Sequence, residues 1–147
     1  MRKELEQKLY EKYPKIFIEK DLSPQESCMS YGLSFSDGWY DIVDQLCENI
    51  QRHCDENDIQ VVCVQAKEKF GSLSFYISEY NDYLCKVVNE AWIASSKTCE
   101  YCGSQGKSRS GGWIKTLCDD CDVKNKNGYR PWREEEAEKI KKVFKDS

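Results

Sequence analysis

Residues 98–122, TCEYCGSQGKSRSGGWIKTLCDDCD, contain two Cys-x-x-Cys pairs that decide how the C-terminal half of this chain folds. The first pair is Cys99 with Cys102, the second is Cys118 with Cys121, and fifteen residues separate them. A Cys-x-x-Cys turn places two sulfurs on one side of a tight loop, and two such turns complete a tetrahedral shell. The spacing therefore predicts one structural Zn²⁺ held by these four cysteines.

The residues around the two pairs predict the local form of this module. Gly103 follows the first pair, where a tight loop often needs a positive φ. The glycines of the segment between the pairs allow the chain to reverse, and WIKTL is a predicted strand. Acidic residues follow the second pair, which favours the start of a helix. This order is typical of a zinc-ribbon or treble-clef-like module, predicted over residues 97–128.

Other chemistry for the thiols fits the pattern less well. A thioredoxin-like redox pair would leave one of the two pairs without a role. The common iron–sulfur spacings are tighter. A catalytic zinc normally keeps one position for water, which four thiolates would fill. Residues 54–56 spell Cys-x-Glu, as in zinc deaminases, but no proline precedes Cys99 and the second pair would be unused. Three of the five remaining cysteines, Cys47, Cys54 and Cys63, are predicted to be apolar packing residues.

Residues 1–96 predict a small α+β core. Apolar residues recur at helical spacing in three segments. In a further segment they alternate as in a β-strand, and a segment rich in β-branched residues precedes it. The helices are predicted at 2–13, 36–58 and 80–96, and the antiparallel hairpin at 59–65 and 72–78. An isolated hairpin is marginal in water, so residues 31–35 are a candidate third strand. REEEAEKIKKVFK predicts a charged C-terminal helix within residues 129–147.

Composition and hydropathy set the expected location. The chain has 147 residues, of which 33% are charged and 39% hydrophobic, and this composition is typical of a folded, soluble protein. No apolar run approaches the roughly 20 residues of a membrane span. The N-terminal residues, MRKELEQKLYEKY, have no signal-peptide core. We therefore expect a cytoplasmic protein without a membrane partner.

Basic and aromatic residues near the cysteines form a candidate binding face. Residues 1–96 carry ten basic and seventeen acidic side chains, whereas residues 97–147 carry twelve and nine. Cations can pair with phosphates and tryptophan can stack on a base. The candidate ligand or nucleic-acid contacts are Lys107, Arg109, Trp113, Lys115, Arg130 and Trp132. Alternatively, the tryptophans pack the module on the core, and the cations are surface groups that offset the charge of the thiolates.

Four strings occur in order along the chain: KYPKIF, DGWYDIVDQL, VQAKEKFGSLSFYIS, and CEYCG followed by GGWIKTLCDDC. With them the chain resembles a family of small, largely uncharacterised zinc-binding proteins encoded by bacteriophages and prophages. The resemblance covers roughly residues 10–121. It implies a phage-derived protein that acts in the bacterial host cytoplasm, it agrees with a zinc site, and it transfers no catalytic residue.

The sequence favours a binding protein over an enzyme. It has one histidine, His53, and no glycine-rich phosphate loop, so histidine-based metalloprotease motifs and P-loop motifs are excluded. The predicted function is a phage-derived, non-catalytic accessory protein that binds a host protein or a small ligand, as a counter-defence inhibitor or sequestering factor. The alternative is a nucleic-acid-binding regulator that uses the cysteine module and tail, and a third hypothesis is an enzyme whose site has no recognisable motif.

Overall fold

The fold is mixed α+β, which confirms the predicted class. The structure is a computed structural model, and it describes residues 1–133. The helices are α1 (Lys3–Lys12), α2 (Tyr40–Glu56), α3 (Asp82–Ser95) and α4 (Asp119–Lys126). The strands are β1 (Leu33–Ser34), β2 (Cys63–Lys69), β3 (Ser72–Ile77), β4 (Lys107–Arg109) and β5 (Lys115–Leu117). Short 3-10 turns lie at Cys28–Tyr31 and Asp37–Trp39.

The first sheet is a hairpin with a short parallel strand beside it, in the order β1-β2-β3. β2 and β3 are antiparallel from Cys63 opposite Ile77 to Lys69 opposite Ser72. β1 pairs with β2 through Leu33 opposite Ala66, which confirms a third strand from residues 31–35. The first hairpin strand was predicted four residues too early, since 59–62 lie outside the ladder.

The hairpin turn is tighter than the sequence suggested. Lys67, Glu68 and Lys69 fall between the two predicted strands, but they continue β2 to its end. Phe70 (φ 53°) and Gly71 (φ 85°) alone form the turn, both in the left-handed region. Two left-handed residues match the twist of the flanking strands, which allows a two-residue connection. Glu68 Oε1 accepts a hydrogen bond from Gly71 N at 2.7 Å and fixes this turn.

The core lies between the sheet and helices α1, α2 and α3. On β3, Leu73, Phe75 and Ile77 are all buried, as the alternation predicted. The helix α2 buries one face, and α3 packs against both α2 and β3. Cys47, Cys54 and Cys63 are fully buried, which confirms them as packing residues. The largest buried side chain of this cluster is Trp39.

The N-termini of α2 and α3 differ in whether a side chain caps the helix. Neither Ser36 nor Asp37 caps α2 with its side chain, because a 3-10 turn comes before that helix. The Asp37 carboxylate instead accepts hydrogen bonds from Arg2 N (2.8 Å) and Nε (2.6 Å). In α3 the cap is Asn81, whose Oδ1 accepts from Leu84 N at 2.8 Å.

The C-terminal helix falls almost entirely outside the described residues. Residues 131–133 are helical, and the rest of the predicted helix lies beyond them. Within residues 1–133 no helix combines the length and apolar character that crossing a membrane requires.

One carboxylate ties α1 to α2. The Tyr13 hydroxyl lies 2.6 Å from Asp44 Oδ1, and Lys12 Nζ lies 2.9 Å from the same oxygen. Burial alone would raise the pKa of Asp44, but the hydrogen bonds from Tyr13 and Lys12 outweigh it and lower that pKa. A lowered pKa in the folded state means that ionised Asp44 stabilises the fold above the ordinary Asp pKa of ~3.9.

We therefore expect Asp44→Asn to lower the free energy of unfolding by about 1–2 kcal/mol at pH 7. The difference from the unsubstituted protein should shrink as the pH falls through the depressed pKa of Asp44, because both proteins are then neutral at this position. Urea unfolding across this pH range measures it. Asp41→Asn, an exposed change on the same helix, is the control. An Asp44→Asn effect that is independent of pH would contradict the assignment.

Candidate functional site

The first cysteine pair sits in a tight loop, as the spacing predicted. Gly103 N donates to Cys99 O at 3.0 Å, and Cys99 N donates to Ser104 O at 2.7 Å. Gly103 has a φ of 81°, which confirms the need for glycine after the pair. Glu100 N also donates to Thr116 O at 3.0 Å, which attaches the loop to β5.

The second pair lies at the start of a helix. Cys118 is the N-cap of α4, and its Sγ accepts a hydrogen bond from Cys121 N at 3.4 Å. Three aspartates in the first turn of α4 face the positive end of the helix dipole, as predicted. A loop pair, a hairpin of β4 and β5, and a pair at a helix N-terminus follow the order of the treble-clef alternative.

The four sulfurs form a cluster of the size that a metal ion needs. All four Sγ atoms of Cys99, Cys102, Cys118 and Cys121 lie within 4.8 Å of one another, and Cys102 Sγ is 3.6 Å from Cys118 Sγ. A tetrahedron with metal–sulfur bonds of ~2.3 Å has sulfur–sulfur edges of ~3.8 Å, close to this distance. None of the four forms a disulfide. The four cysteines lie together and can hold a metal ion.

The environment of the thiols differs from one side of the cluster to the other. Burial raises the pKa of Cys99 and Cys121. Burial also opposes ionisation of Cys102, but hydrogen bonds from Ser104 and the neighbouring thiols outweigh it and lower the pKa of Cys102 to about 6. Metal binding requires thiolates, so an ion at this position would displace the protons from the two buried sulfurs.

Arg109 and Lys107, predicted as binding-face cations, both lie near the start of α4. Arg109 Nε and Nη2 donate to Leu117 O at 3.1 and 3.0 Å, and Nη2 also donates to Asp119 Oδ1 at 2.7 Å. The Arg109 side chain therefore joins the hairpin to α4. Lys107 is exposed, with its Nζ 3.8 Å from Asp119 Oδ1. Of the two, only Lys107 presents its charge mainly to solvent.

Lys115 lies inside the protein in an ion pair. Its Nζ is 3.1 Å from Glu100 Oε1, and the two side chains are 11% and 3% exposed. The ammonium also lies 5.8 Å from the ring centroid of Tyr101 and 5.7 Å from that of Trp132. Lys115 is thus a buried cation with two aromatic neighbours.

Of the remaining three predicted residues, Arg130 binds neighbouring oxygens of the protein and the two tryptophans are exposed. Arg130 Nη1 donates to Asn125 O, Asn125 Oδ1 and Tyr129 O at 2.8, 2.7 and 2.7 Å, beyond the end of α4. Trp132 is 40% exposed beside Lys115. Trp113 is 77% exposed, with Nε1 3.4 Å from Glu68 Oε2 on β2. Neither tryptophan belongs to the two buried clusters, so burial of an indole ring does not dock the module on the core.

Glu100 is the residue that joins the cysteine module to the core, and sequence reasoning missed it. Glu100 O accepts from Gly38 N at 2.8 Å, and its Oε2 accepts from Ser36 N at 3.1 Å. Trp39 Nε1 donates to Thr98 O at 2.9 Å in the same contact. The signal was an acidic side chain between two metal-binding cysteines, where nearby thiolates disfavour a carboxylate unless a cation pairs with it.

A second contact joins the module to the hairpin turn. Thr116 Oγ1, on β5, donates to Gly71 O at 2.6 Å. Together the two contacts leave a pocket of about 580 Å³ between the β1 edge and the module. Its wall includes Phe35 on the core side and five of the residues above: Glu68, Glu100, Trp113, Lys115 and Trp132. Arg130 and Asn125 also line it.

Comparison of the chain with protein-family models, curated proteins and solved structures finds no match. The four-cysteine cluster and the pocket are therefore the features from which a function can be inferred. The resemblance to phage proteins stays a prediction.

The close approach at Gly38 gives a test of the joint between core and module. A Cβ at Gly38 would overlap the Cys99 carbonyl oxygen and the Glu100 backbone. We expect Gly38→Ala to cost about 3 kcal/mol of unfolding free energy, because backbone on both sides must move apart. Chemical denaturation measures this loss.

Gly111→Ala is the matched control. A Cβ there meets nothing within 4 Å, but the backbone has a φ of 112°. Its cost of about 1 kcal/mol reports backbone strain without a steric clash. If Gly38→Ala is no more destabilising than Gly111→Ala, the described contact between Gly38 and the cysteine loop is not tight in solution.

Proposed function

We propose that this chain is a non-catalytic binding protein whose four-cysteine site holds one structural Zn²⁺. The observation that carries the proposal is the cluster of four cysteine sulfurs, all within 4.8 Å of one another. Four thiolates fill a tetrahedral shell and leave no position for water or substrate, which favours a structural role over catalysis. An ion there would fix the loop that carries Glu100 and, through it, one wall of the pocket.

Zinc is the metal that the donor set supports best. Four soft thiolates in a tetrahedral arrangement suit zinc or an iron–sulfur centre, and carboxylate-preferring ions such as Mg²⁺ are poor matches. Two Cys-x-x-Cys pairs separated by fifteen residues are typical of structural zinc modules.

The proposed setting is the cytoplasm of a bacterial host. The resemblance to phage and prophage proteins supports this setting, and clustered free thiols suit a reducing compartment. A phage-derived accessory factor of this kind would bind a host protein or a small ligand and so inhibit or sequester it. The junction pocket supports a small ligand as the partner.

The first test concerns the metal. We expect metal analysis of the purified protein to give about one zinc per chain. Cys99→Ser should lose most of the zinc and unfold the cysteine module, because metal-binding energy is also folding energy in such modules. Cys85→Ser, at an exposed cysteine outside the cluster, should keep both zinc and stability. A folded, zinc-free protein, or equal zinc content in Cys99→Ser, would remove the assignment.

The alternative function, a nucleic-acid-binding regulator, has one observation in its favour: Trp113 and Lys107 are both exposed near the hairpin of the module. Against it, Arg109 and Lys115 already pair with Asp119 and Glu100. Phosphates would have to compete with these internal partners. Their contacts therefore reduce the basic face that the sequence predicted.

A mobility-shift assay separates the two functions. We expect no salt-sensitive shift of single- or double-stranded oligonucleotides at low salt, since within residues 1–133 two of the predicted cations, Arg109 and Lys115, already pair with carboxylates. Mass spectrometry of protein isolated from a bacterial lysate should instead recover a bound small molecule or one host protein. Trp113→Ala should lose that partner, whereas Trp92→Ala, an exposed tryptophan on α3, should retain it. A shift that Lys107→Ala and Trp113→Ala abolish would favour the regulator.

A further inference from the structure

The pocket at the junction has the size of a small-molecule site. Its volume is about 580 Å³, within the ~300–1,000 Å³ range of ligand pockets in proteins. One side is the edge of the core sheet at Leu33 and Phe35. The other side belongs to the cysteine module and the segment after α4, with Trp113 and Trp132. The two sides come from different parts of the fold, a common location for ligand sites.

The acidic groups of this pocket already have donors. Glu100 Oε1 accepts from Lys115 Nζ at 3.1 Å, and Oε2 accepts from Ser36 N at 3.1 Å. Glu68 Oε1 accepts from Gly71 N at 2.7 Å, and Oε2 accepts from Trp113 Nε1 at 3.4 Å. Each carboxylate oxygen in the pocket wall therefore has a donor from the protein.

The two cations of the pocket, Lys115 and Arg130, have N–H groups that are not used in the hydrogen bonds among residues 1–133. An ammonium has three N–H groups, and among residues 1–133 the hydrogen-bond acceptor for Lys115 is Glu100 Oε1. Arg130 has five N–H groups, and its contacts within the same residues all involve Nη1. Lys115 is only 9% exposed, so water has little access to its remaining N–H groups. The unused hydrogen-bonding capacity of the pocket favours an acceptor-rich anion.

The tryptophans add a preference for a flat ring. Trp113 leaves most of its indole in solvent beside the pocket, and Trp132 lies against the Lys115 ammonium. Indole faces stack on planar aromatic groups, and a nearby cation can pair with a phosphate attached to such a ring. A role for Lys115 limited to neutralising Glu100 would explain the ion pair but not an exposed indole at the same pocket.

We propose that the junction pocket binds a nucleoside monophosphate, with the base stacked on Trp113 and the phosphate bound by Lys115 and Arg130. This inference rests on the proposed binding function and names the chemical class of its small ligand. A nucleotide joins a planar ring to a compact anion, which matches the two kinds of group that the pocket presents.

The test uses the full-length, zinc-loaded protein with AMP as the probe, and adenosine and inorganic phosphate as its two halves. Isothermal titration calorimetry should give one AMP per chain. Adenosine and phosphate should each bind at least about tenfold more weakly, because each lacks one set of contacts. Tryptophan fluorescence should change on AMP addition, since the base lies against an indole.

Two substitutions assign the contacts. Trp113→Ala should weaken AMP about tenfold or more through loss of stacking, and Trp92→Ala on α3 should leave binding unchanged. Arg130→Gln should weaken AMP by a similar factor while leaving adenosine unaffected, and Arg52→Gln on α2 is its control. Melting curves and zinc content verify that the variants fold. Trp113 is exposed, so its variant remains a valid test even if Arg130→Gln loosens the end of α4.

The outcomes separate this inference from the proposed function. No binding of AMP at millimolar concentration overturns the nucleotide assignment, and recovery of a host protein from lysate would then leave the binding function standing. Binding of oligonucleotides but not AMP overturns it in favour of a nucleic-acid surface. Equal effects of Trp113→Ala and Trp92→Ala also overturn it. Absence of zinc removes the structural-metal proposal, whereas AMP binding sensitive to Trp113→Ala supports the pocket by itself.

Discussion

The buried carboxylate of Glu100 holds the two parts of this protein together. It stands between two cysteines of the metal cluster, pairs with Lys115 on β5, and accepts a hydrogen bond from Ser36 N ahead of α2. Burying such a pair carries a desolvation cost, but removal of either partner would strand a charge in the interior. Once the pair has formed, it fixes the relative positions of the cysteine loop, β5 and the segment before α2.

The metal cluster and the pocket are coupled through this residue. Four sulfurs bound to one ion would fix the loop from Cys99 to Cys102, and Glu100 is inside that loop. In the same loop, Glu100 O accepts a hydrogen bond from Gly38 N, and Glu100 N donates one to Thr116 O. The position of the loop therefore sets the distance between the core and β5. An ion bound there would thereby position one wall of the pocket without lining it, in the way that supporting groups fix the residues of a site.

Local patterns predicted the parts of the structure that local forces determine. The cysteine spacing, the buried alternation of Leu73, Phe75 and Ile77, and the glycine after the first cysteine pair depend on near neighbours, and all were evident in the sequence. The roles of Lys115 and Arg109 were not, because their partners become neighbours only through folding. The same limit explains the hairpin turn, where Phe70 takes a left-handed conformation that its residue type does not indicate.

Two of the four quoted strings meet at the junction between the core and the cysteine module. KEKFG supplies Glu68 and the Gly71 turn, CEYCG supplies Glu100, and GGWIKTLC supplies Trp113, Lys115 and Thr116. Segments distant in sequence thus form a single junction beside the pocket, and one of them carries two of the four clustered cysteines. Four sulfurs around one ion would leave no position for a substrate, and the pocket offers charge and aromatic surface. That combination supports the proposal that the pocket holds a ligand.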